Sequence, residues 1–311
     1  MDESTRTQEQ IRRLASGESL PRDPELEHAL ADYSLEYQIR SDTVALREPL
    51  ELLDHDSIAG QLSPEAARMS GGIKILWSVD STNTWMLQND KREDWHGLVC
   101  LAEQQLAGKG RRGRRWASPF GKNIYMSIGW GIPRNISGLS GLSLLVGMQV
   151  IRALKSLGLK DTWLKWPNDI IMGQGKLAGI LVELTAPSQT RVGVVTGIGV
   201  NLRLDAGDAV DIDQGWSTIG EQQEVSRNTL TALILSELLP ALSRFETEGF
   251  APWQQAWDDF DLFRHQAVTV HMGENKISGL NKGIDGDGNL LIETDKGVET
   301  FSAGEVSLRE A

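Results

Sequence analysis

The sequence contains one cysteine, Cys100, among 311 residues, so no internal disulfide is available. The five histidines, at 28, 55, 96, 265 and 271, are scattered and form no Cys/His cluster at zinc-ligand spacing. Each is expected to be structural or exposed. No stretch of eighteen apolar residues exists, which leaves no candidate for a membrane-spanning helix. The opening Met1-Asp2-Glu3-Ser4-Thr5 is not the basic-then-apolar pattern of a secretory leader, and a cytoplasmic protein is expected. Positive charge is scarce: 31 Lys and Arg stand against 43 Asp and Glu, a net of −12, which argues against general affinity for nucleic acid or anionic membrane. There is no G-x-x-x-x-G-K-[ST], and so no P-loop.

What is present is an ordinary globular composition, 40% hydrophobic and 24% charged, in a chain long enough for one sizeable core and one or two small appendages. The charge deficit has one sharp local exception. Lys109, Arg111, Arg112, Arg114, Arg115 and Lys122 lie between Gly108 and Lys122 with no acid among them. A compact basic block interrupted by glycines, in an acidic chain, reads as a candidate anion site.

Periodicity divides the chain into three segments, taken as 1–65, 66–262 and 263–311. In the first, Thr7 to Ser16 and Pro24 to about Tyr33 read as helices, the second capped by Asp23 with Pro24 at its first position. Leu35–Arg40 and Thr43–Arg47 read as a hairpin around Ser41-Asp42. Two helices and a β-wing suggest a reduced winged-helix-like module. The second segment mixes strands and helices as an α+β layer, not a regular βαβ alternation. Ser137 to Leu157 reads as an amphipathic helix and Ser226 to about Glu248 as another long one. Ile170–Met172, Lys176–Thr185 and Val192–Asn201 read as consecutive strands; their short turns imply antiparallel neighbours. The third segment has five short alternating runs, the pattern of a small SH3-like β-barrel.

Gly108-Lys109-Gly110-Arg111-Arg112-Gly113 satisfies G-x-G-x-x-G, so a dinucleotide site has to be weighed. That reading needs a helix opening at the last glycine, and Arg114-Arg115-Trp116-Ala117-Ser118-Pro119 followed by Gly121 makes one improbable. Glycines let backbone fold closely around a ligand, and guanidinium groups supply paired donors to phosphate or carboxylate. The loop alone fits a solvated basic turn or a nucleic-acid contact as well as an anion clamp. Its neighbours carry further polar groups. Ser81-Thr82-Asn83 reads by default as a helix cap, with Asp80 or Ser81 at the cap position. Lys176 opens an otherwise apolar run and by default is an exposed edge residue.

Taken together, Asp80-Ser81-Thr82-Asn83, GKGRRGRRW at 108–116, KWPND at 165–169, KLAGILVE at 176–183 and GIGVN at 197–201 resemble, in order and spacing, the BirA-type biotin–protein ligases. The resemblance runs from about residue 50 to the C-terminus. It implies a central mixed sheet with flanking helices of the class II synthetase and biotin-ligase type. It also implies ATP-dependent formation of biotinyl-5′-AMP, with Mg²⁺ accompanying ATP. Transfer of biotin then follows, to a lysine of the biotin carboxyl carrier protein of acetyl-CoA carboxylase. By position, Ser81, Thr82 and Asn83 would line the biotin pocket and Gln105 would contact the ureido ring. Lys109, Gly110 and Arg111 would close over biotin and the adenylate phosphate, with Arg114 beside them. Lys176 would contact the reacting carboxylate and phosphate oxygens. Asn201 and Trp216 would lie near the adenosine, the tryptophan stacking on adenine. Asp169 would contact Mg²⁺, orient Lys176, or be structural. The family usually has arginine where Lys109 stands, so the guanidinium fork is lost there.

Two rival functions follow from the same resemblance: a lipoate–protein ligase, whose core is similar, and a bifunctional ligase that also represses transcription. The loop and the C-terminal barrel favour biotin over lipoate. Residues 1–65 carry six arginines, no lysine and fifteen acids, a net of −9, where a duplex-binding module should be basic. There is room between Pro24 and the hairpin for only one helix, so no recognition helix is expected. A homodimer through the central sheet is implied by the resemblance alone.

Overall fold

The computed structural model describes residues 3–92, 94–133, 139–186, 191–205, 207–208, 215–272, 275–303 and 306–310. The chain begins with α1 (Glu3–Ala15), β1 (Leu20–Pro21), α2 (Pro24–Asp32), β2 (Tyr37–Arg40) and β3 (Thr43–Leu46). The three strands form a small sheet in the order β1-β3-β2. Asp23 caps α2 by accepting from the Glu25 amide, with Pro24 preset for the first turn. Only residues 33–36 separate α2 from β2, so no further helix intervenes. This module has its own core of Ile11, Leu14, Leu20, Leu26, Leu30, Leu35 and Val44. The core takes in one residue from far along the chain, Phe120.

Next come α3 (His55–Gly60), α4 (Pro64–Met69), β4 (Ile73–Val79), α5 (Thr82–Gln88), β5 (Val99–Gln105), β6 (Ile124–Pro133) and α6 (Leu142–Ser156). After them run β7 (Thr162–Lys165), β8 (Asp169–Met172), β9 (Gly175–Leu184), β10 (Arg191–Val200) and α7 (Arg227–Glu248). The strands make a seven-stranded sheet, β4-β5-β6-β10-β9-β8-β7. Only β4 and β5 run parallel; every other neighbouring pair is antiparallel. Leu53, Ile58 and Ala66, around α3 and α4, are buried in the core of this sheet and its helices rather than in the first module's. The C-terminal β11 (Ala267–Met272), β12 (Asn275–Ile284), β13 (Leu290–Thr294), β14 (Gly297–Phe301) and β15 (Val306–Glu310) form an antiparallel sheet in the order β14-β13-β12-β11-β15. Its Val268, Val270, Leu290 and Ile292 continue the main core.

The two faces of the central sheet are set by strand periodicity of two. On β6, Ile124, Met126, Ile128, Trp130 and Ile132 enter the main core, as do Val194, Ile198 and Val200 of β10. Most of the alternate positions, Tyr125 and Val195 aside, are small: Ser127, Gly129 and Gly131 on β6, Gly193, Gly197 and Gly199 on β10. Register aligns Ser127 with Gly197 and Leu181, and Tyr125 with Gly199 and Gly179. The face opposite the helical core is thereby lowered into a trough, with α5 along one side.

Helix α6 differs from the expected amphipathic helix at Ser137–Leu157. It begins at Leu142, after a 3₁₀ turn at Leu139–Gly141, and Ser137 lies outside the described residues. Eleven of its fifteen residues are buried, so it is a core helix on nearly every side. Helix α7 packs beside it and starts where expected, with Ser226 as its N-cap accepting from the Thr229 amide.

One buried ion pair ties the sheet to the segment before α3. Arg227 and Glu103, whose side chains are 4% and 2% exposed, meet at 2.8 Å. Arg227 also donates to the carbonyls of Glu51 and Asn123, and Glu103 accepts from the Leu53 amide. Breaking such a pair leaves an uncompensated buried charge. Glu103→Ala is expected to cost about 3–5 kcal/mol of stability in urea unfolding, with the double replacement Glu103→Leu/Arg227→Met recovering part of it.

Candidate active site

The basic loop leaves β5 at Gln105 and folds back as a tight hairpin. Lys109 and Arg115 form an isolated antiparallel bridge, the Gly110 amide donates to the Arg114 carbonyl at 2.7 Å, and Trp116 N donates to Gly108 O at 2.9 Å. The tip is one 3₁₀ turn, Arg111–Gly113, with Arg112 and Gly113 at φ 58° and 70°. Arg114 resumes extended backbone, so no helix opens there and the dinucleotide geometry is absent. Lys109, Arg112, Arg114 and Arg115 are exposed, whereas Arg111 turns inward. Its guanidinium donates to Asn168 Oδ1 at 2.8 Å and to the carbonyl of Ala303, just beyond β14 of the C-terminal sheet. Burial lowers the Arg111 pKa, Arg112 and Arg114 push the same way, and Asp169 opposes them.

Lys176 lies on the trough side of β9 with its side chain only 12% exposed, not at an open edge as its place in the sequence suggested. Its Nζ is 2.7 Å from Asp169 Oδ1 and 5.2 Å from the centre of a Trp116 ring. The Lys176 amide donates to Gly215 O, while the Lys176 carbonyl accepts from Ser217 N and Asn201 Nδ2. Asn201 and Trp216, 15 residues apart in the chain, are thus brought together behind one lysine. Asp169, Asn201 and Trp216 stand one step back from the cavity. Ser81, Thr82, Asn83, Gln105, Lys109, Gly110, Arg111, Arg114 and Lys176 all line it.

The Ser81-Thr82-Asn83 segment departs from a simple cap. Ser81 occupies the N-cap position of α5 but makes no side-chain capping bond. The Thr82 amide donates instead to Gln105 Oε1 at 2.9 Å. Gln105 Nε2 donates to Ser118 Oγ, which lies 3.0 Å from the Trp116 carbonyl, so the pocket floor and the loop exit are linked. Asn83, 3% exposed, lies directly over Gly197, where any side chain would run into its carboxamide. Trp116 lies in the same way over Gly199, with its indole Nε1 buried and without a partner among the described residues.

Sequence reasoning passed over Asn168, Ser118, Ser127, Glu183 and Trp116 as site residues. For Trp116 and Asn83 a signal existed: glycines at 197 and 199, two apart in a strand, mark one face on which something approaches closely. For Ser127 and Glu183 none existed, because their roles come from cross-strand register. The lone Cys100 lies on β5, fully buried, and burial pushes its thiol up to about 12, which removes it as a nucleophile at neutral pH. Among the described residues no group of three or more His, Cys, Asp or Glu side chains is placed to hold a metal ion.

Comparison with known proteins agrees with this geometry. Residues 76–201 match the model of the biotin/lipoate A/B protein ligase family, and residues 266–309 that of the biotin protein ligase C-terminal domain. The chain is 40% identical over 268 residues to the bifunctional ligase/repressor BirA of Escherichia coli K12, covering 86% of this chain and 81% of that protein. It is 30% identical over 278 residues to the biotin–[acetyl-CoA-carboxylase] ligase of Mycobacterium tuberculosis, covering 86% and 98%. The structure of the Aquifex aeolicus biotin protein ligase in complex with biotin and ATP superposes with a TM-score of 0.65 at 27% identity, over 77% of this chain and 99% of that one. The expected α+β architecture, with its helix-flanked mixed sheet and small antiparallel C-terminal unit, is the architecture of these relatives, and the chain belongs to the biotin protein ligase family.

Proposed function

We propose that this chain is an ATP-dependent biotin–protein ligase, making biotinyl-5′-AMP and passing biotin to a lysine of the biotin carboxyl carrier protein of acetyl-CoA carboxylase. The observation that carries biotin over lipoate is a proton count at Thr82. Ser127 Oγ is 2.5 Å from Asn83 Oδ1 and 2.7 Å from Thr82 Oγ1. Asn83 Oδ1 cannot donate, so the Ser127 proton belongs to it. The Thr82–Ser127 contact, at 2.7 Å, then takes the Thr82 proton in preference to Gln105 Oε1, which lies 3.2 Å from the same hydroxyl. Thr82 Oγ1, on the cavity wall, is left as an acceptor and calls for a ligand N–H. A ureido ring supplies one; a dithiolane does not.

In the first step a carboxylate oxygen of biotin bonds to the α-phosphorus of ATP, the Pα–O bond to the β-phosphate breaks, and pyrophosphate leaves. Two anions must meet and charge grows on the leaving group, so positioned cations are the main demand. Arg111 and Lys176 supply them at the cavity wall. We assign Asp169 to orienting Lys176, which its 2.7 Å contact supports. Mg²⁺ would arrive on the phosphates of ATP. In the second step the carrier's lysine amine, deprotonated from a reference pKa near 10.4, bonds to the acyl carbon as the bond to AMP breaks. The indole of Trp116 and the hairpin above it are the groups placed to keep water from the anhydride.

Asn201 and Trp216, joined through Lys176, are our candidates for the adenosine side, with Arg114 at the loop. Lys109 enters through its backbone bridge to Arg115, which tolerates the change from the usual arginine. We read residues up to about 48 as the N-terminal module and assign α3 and α4 to the catalytic domain, on the packing of Leu53, Ile58 and Ala66. That module is proposed not to bind operator DNA: nothing helical stands between α2 and β2, and its charge is negative. A homodimer through the central sheet and a cytoplasmic location belong to the same reading. No described helix is long and apolar enough to cross a membrane.

Lys176→Ala is expected to lower biotin-dependent ATP–pyrophosphate exchange by about 100-fold or more; normal exchange would remove Lys176 from the reaction. Calorimetric titration should show binding of biotin and none of lipoate at the same concentration, and comparable lipoate binding would overturn the assignment. In a gel-shift at fixed salt with biotin and ATP present, a tight sequence-specific complex with a biotin-operon duplex would contradict the reading of the N-terminal module.

A further inference from the structure

Glu183 lies on β9, outside the lining of the cavity, yet it is the end of the hydrogen-bonded chain that sets what the cavity offers. Register puts Glu183 opposite Val195 on the trough face, one row along from Ser127, Gly197 and Leu181. Asn83 Nδ2 donates to Glu183 Oε2 at 2.8 Å and to the Leu181 carbonyl at 3.3 Å. A carboxylate and a carbonyl are both acceptors, so the Asn83 carboxamide has one possible orientation. Its Oδ1 must then face Ser127, which is fully buried and has no other acceptor for its proton at so short a distance.

We infer that Glu183 is a specificity-determining positioning residue, which fixes the polarity of the Thr82 hydroxyl three links away and so selects a ligand that donates N–H. The inference rests on the biotin reading above. The links run in one direction: Glu183 accepts from Asn83, Asn83 accepts from Ser127, and Ser127 accepts from Thr82 at 2.7 Å, closer than the Gln105 Oε1 that the Thr82 hydroxyl also faces at 3.2 Å. With an apolar residue at 183, the Asn83 amide keeps only the longer bond to Leu181 and can turn over. Its Nδ2 would then donate to Ser127, the Ser127 proton would pass to Thr82, and the Thr82 proton would be released to Gln105 Oε1 or to the ligand. Thr82 is then no longer held as an acceptor toward the ligand, without any change in the residues that line the pocket.

The test is calorimetric titration of the full chain with biotin and with the two mono-N-methylated biotins, alongside the KM for ATP. The unaltered protein should bind biotin and discriminate strongly against at least one methylated form. A protein that binds no biotin would sink the functional reading itself, separately from this inference. Glu183→Leu should lose about 10-fold or more in biotin affinity, the scale of a hydrogen bond to a charged group. It should also narrow the biotin-to-methylbiotin ratio and leave the KM for ATP within about twofold. Glu183→Gln, whose Oε1 can still accept from Asn83, should restore both affinity and ratio. Should Glu183→Leu fail to fold, Ser127→Ala breaks the same chain at its middle and is expected to narrow the ratio likewise. A lowered melting temperature with an unchanged ratio in whichever variant folds would show Glu183 to be merely structural and overturn the inference, as would Gln failing to rescue.

Discussion

The site depends on how close other groups can come to one face of the central sheet. Gly179, Gly197 and Gly199 are small residues in strand interiors, where glycine weakens a strand by roughly 0.5–1 kcal/mol relative to alanine. Their use here is steric. A β-carbon at Gly199 would meet the Trp116 indole at 2.5 Å, and one at Gly179 would meet Lys176 Cε at 3.1 Å and the Trp116 ring at 3.0 Å. The indole and the lysine can therefore share one shallow floor. Asn83 uses the next glycine row in the same way. Without that floor the carboxamide would be displaced from Ser127 and Glu183, and the polar chain that orients Thr82 would be broken.

The second constraint is charge. In a protein of net charge −12, the five cations of the loop stand together, and four of them face solvent. Exposed cations are well solvated and screened by salt, so they contribute little to holding an anion. Arg111 and Lys176 differ because each is sheltered and already directed: Arg111 by Asn168 and Ala303, Lys176 by Asp169 and by backbone bonds on both sides. A cation with a fixed position in a partly dry site needs little reorganisation when charge develops. The contact with Ala303 also means that the C-terminal unit takes part in placing Arg111.

Much of this was legible in the sequence wherever local chemistry decides the outcome. The cap at Asp23, the start of the long helix at Ser226, the turn at Gly173–Gly175, the three strands after Asp169 and the absence of a helix after Gly113 all follow from residues adjacent in the chain. The failures share a cause. Polar residues recur along helix α6 and predict an amphipathic helix, yet the sheet, α7 and the C-terminal unit cover nearly all of it. Lys176 was read as an edge residue because nothing in its own segment reveals that Gly215 and Ser217 close over its backbone. Ser81 stands at the expected N-cap position, but no local residue shows that its side chain makes no capping bond and that the Thr82 amide donates to the distant Gln105. Ser127 and Glu183 gain meaning only from antiparallel register, which no single segment contains.

The N-terminal module shows how a part lacking a helix can remain part of a working core. Phe120, four residues beyond Trp116, is 1% exposed and lies in that module's core, with its ring 4.5 Å from Tyr33 and 4.9 Å from Trp77. Gly121 follows at φ 71°, pressed against the Leu50 side chain. The exit of the basic loop is thus anchored in one hydrophobic core, while its entry at Gln105 belongs to the central sheet. Removing the module would expose Phe120 and Trp77 together and release one end of the loop that carries Arg111. A short hairpin holds its shape when both ends are fixed. The module therefore has a mechanical reason to be present that does not involve DNA.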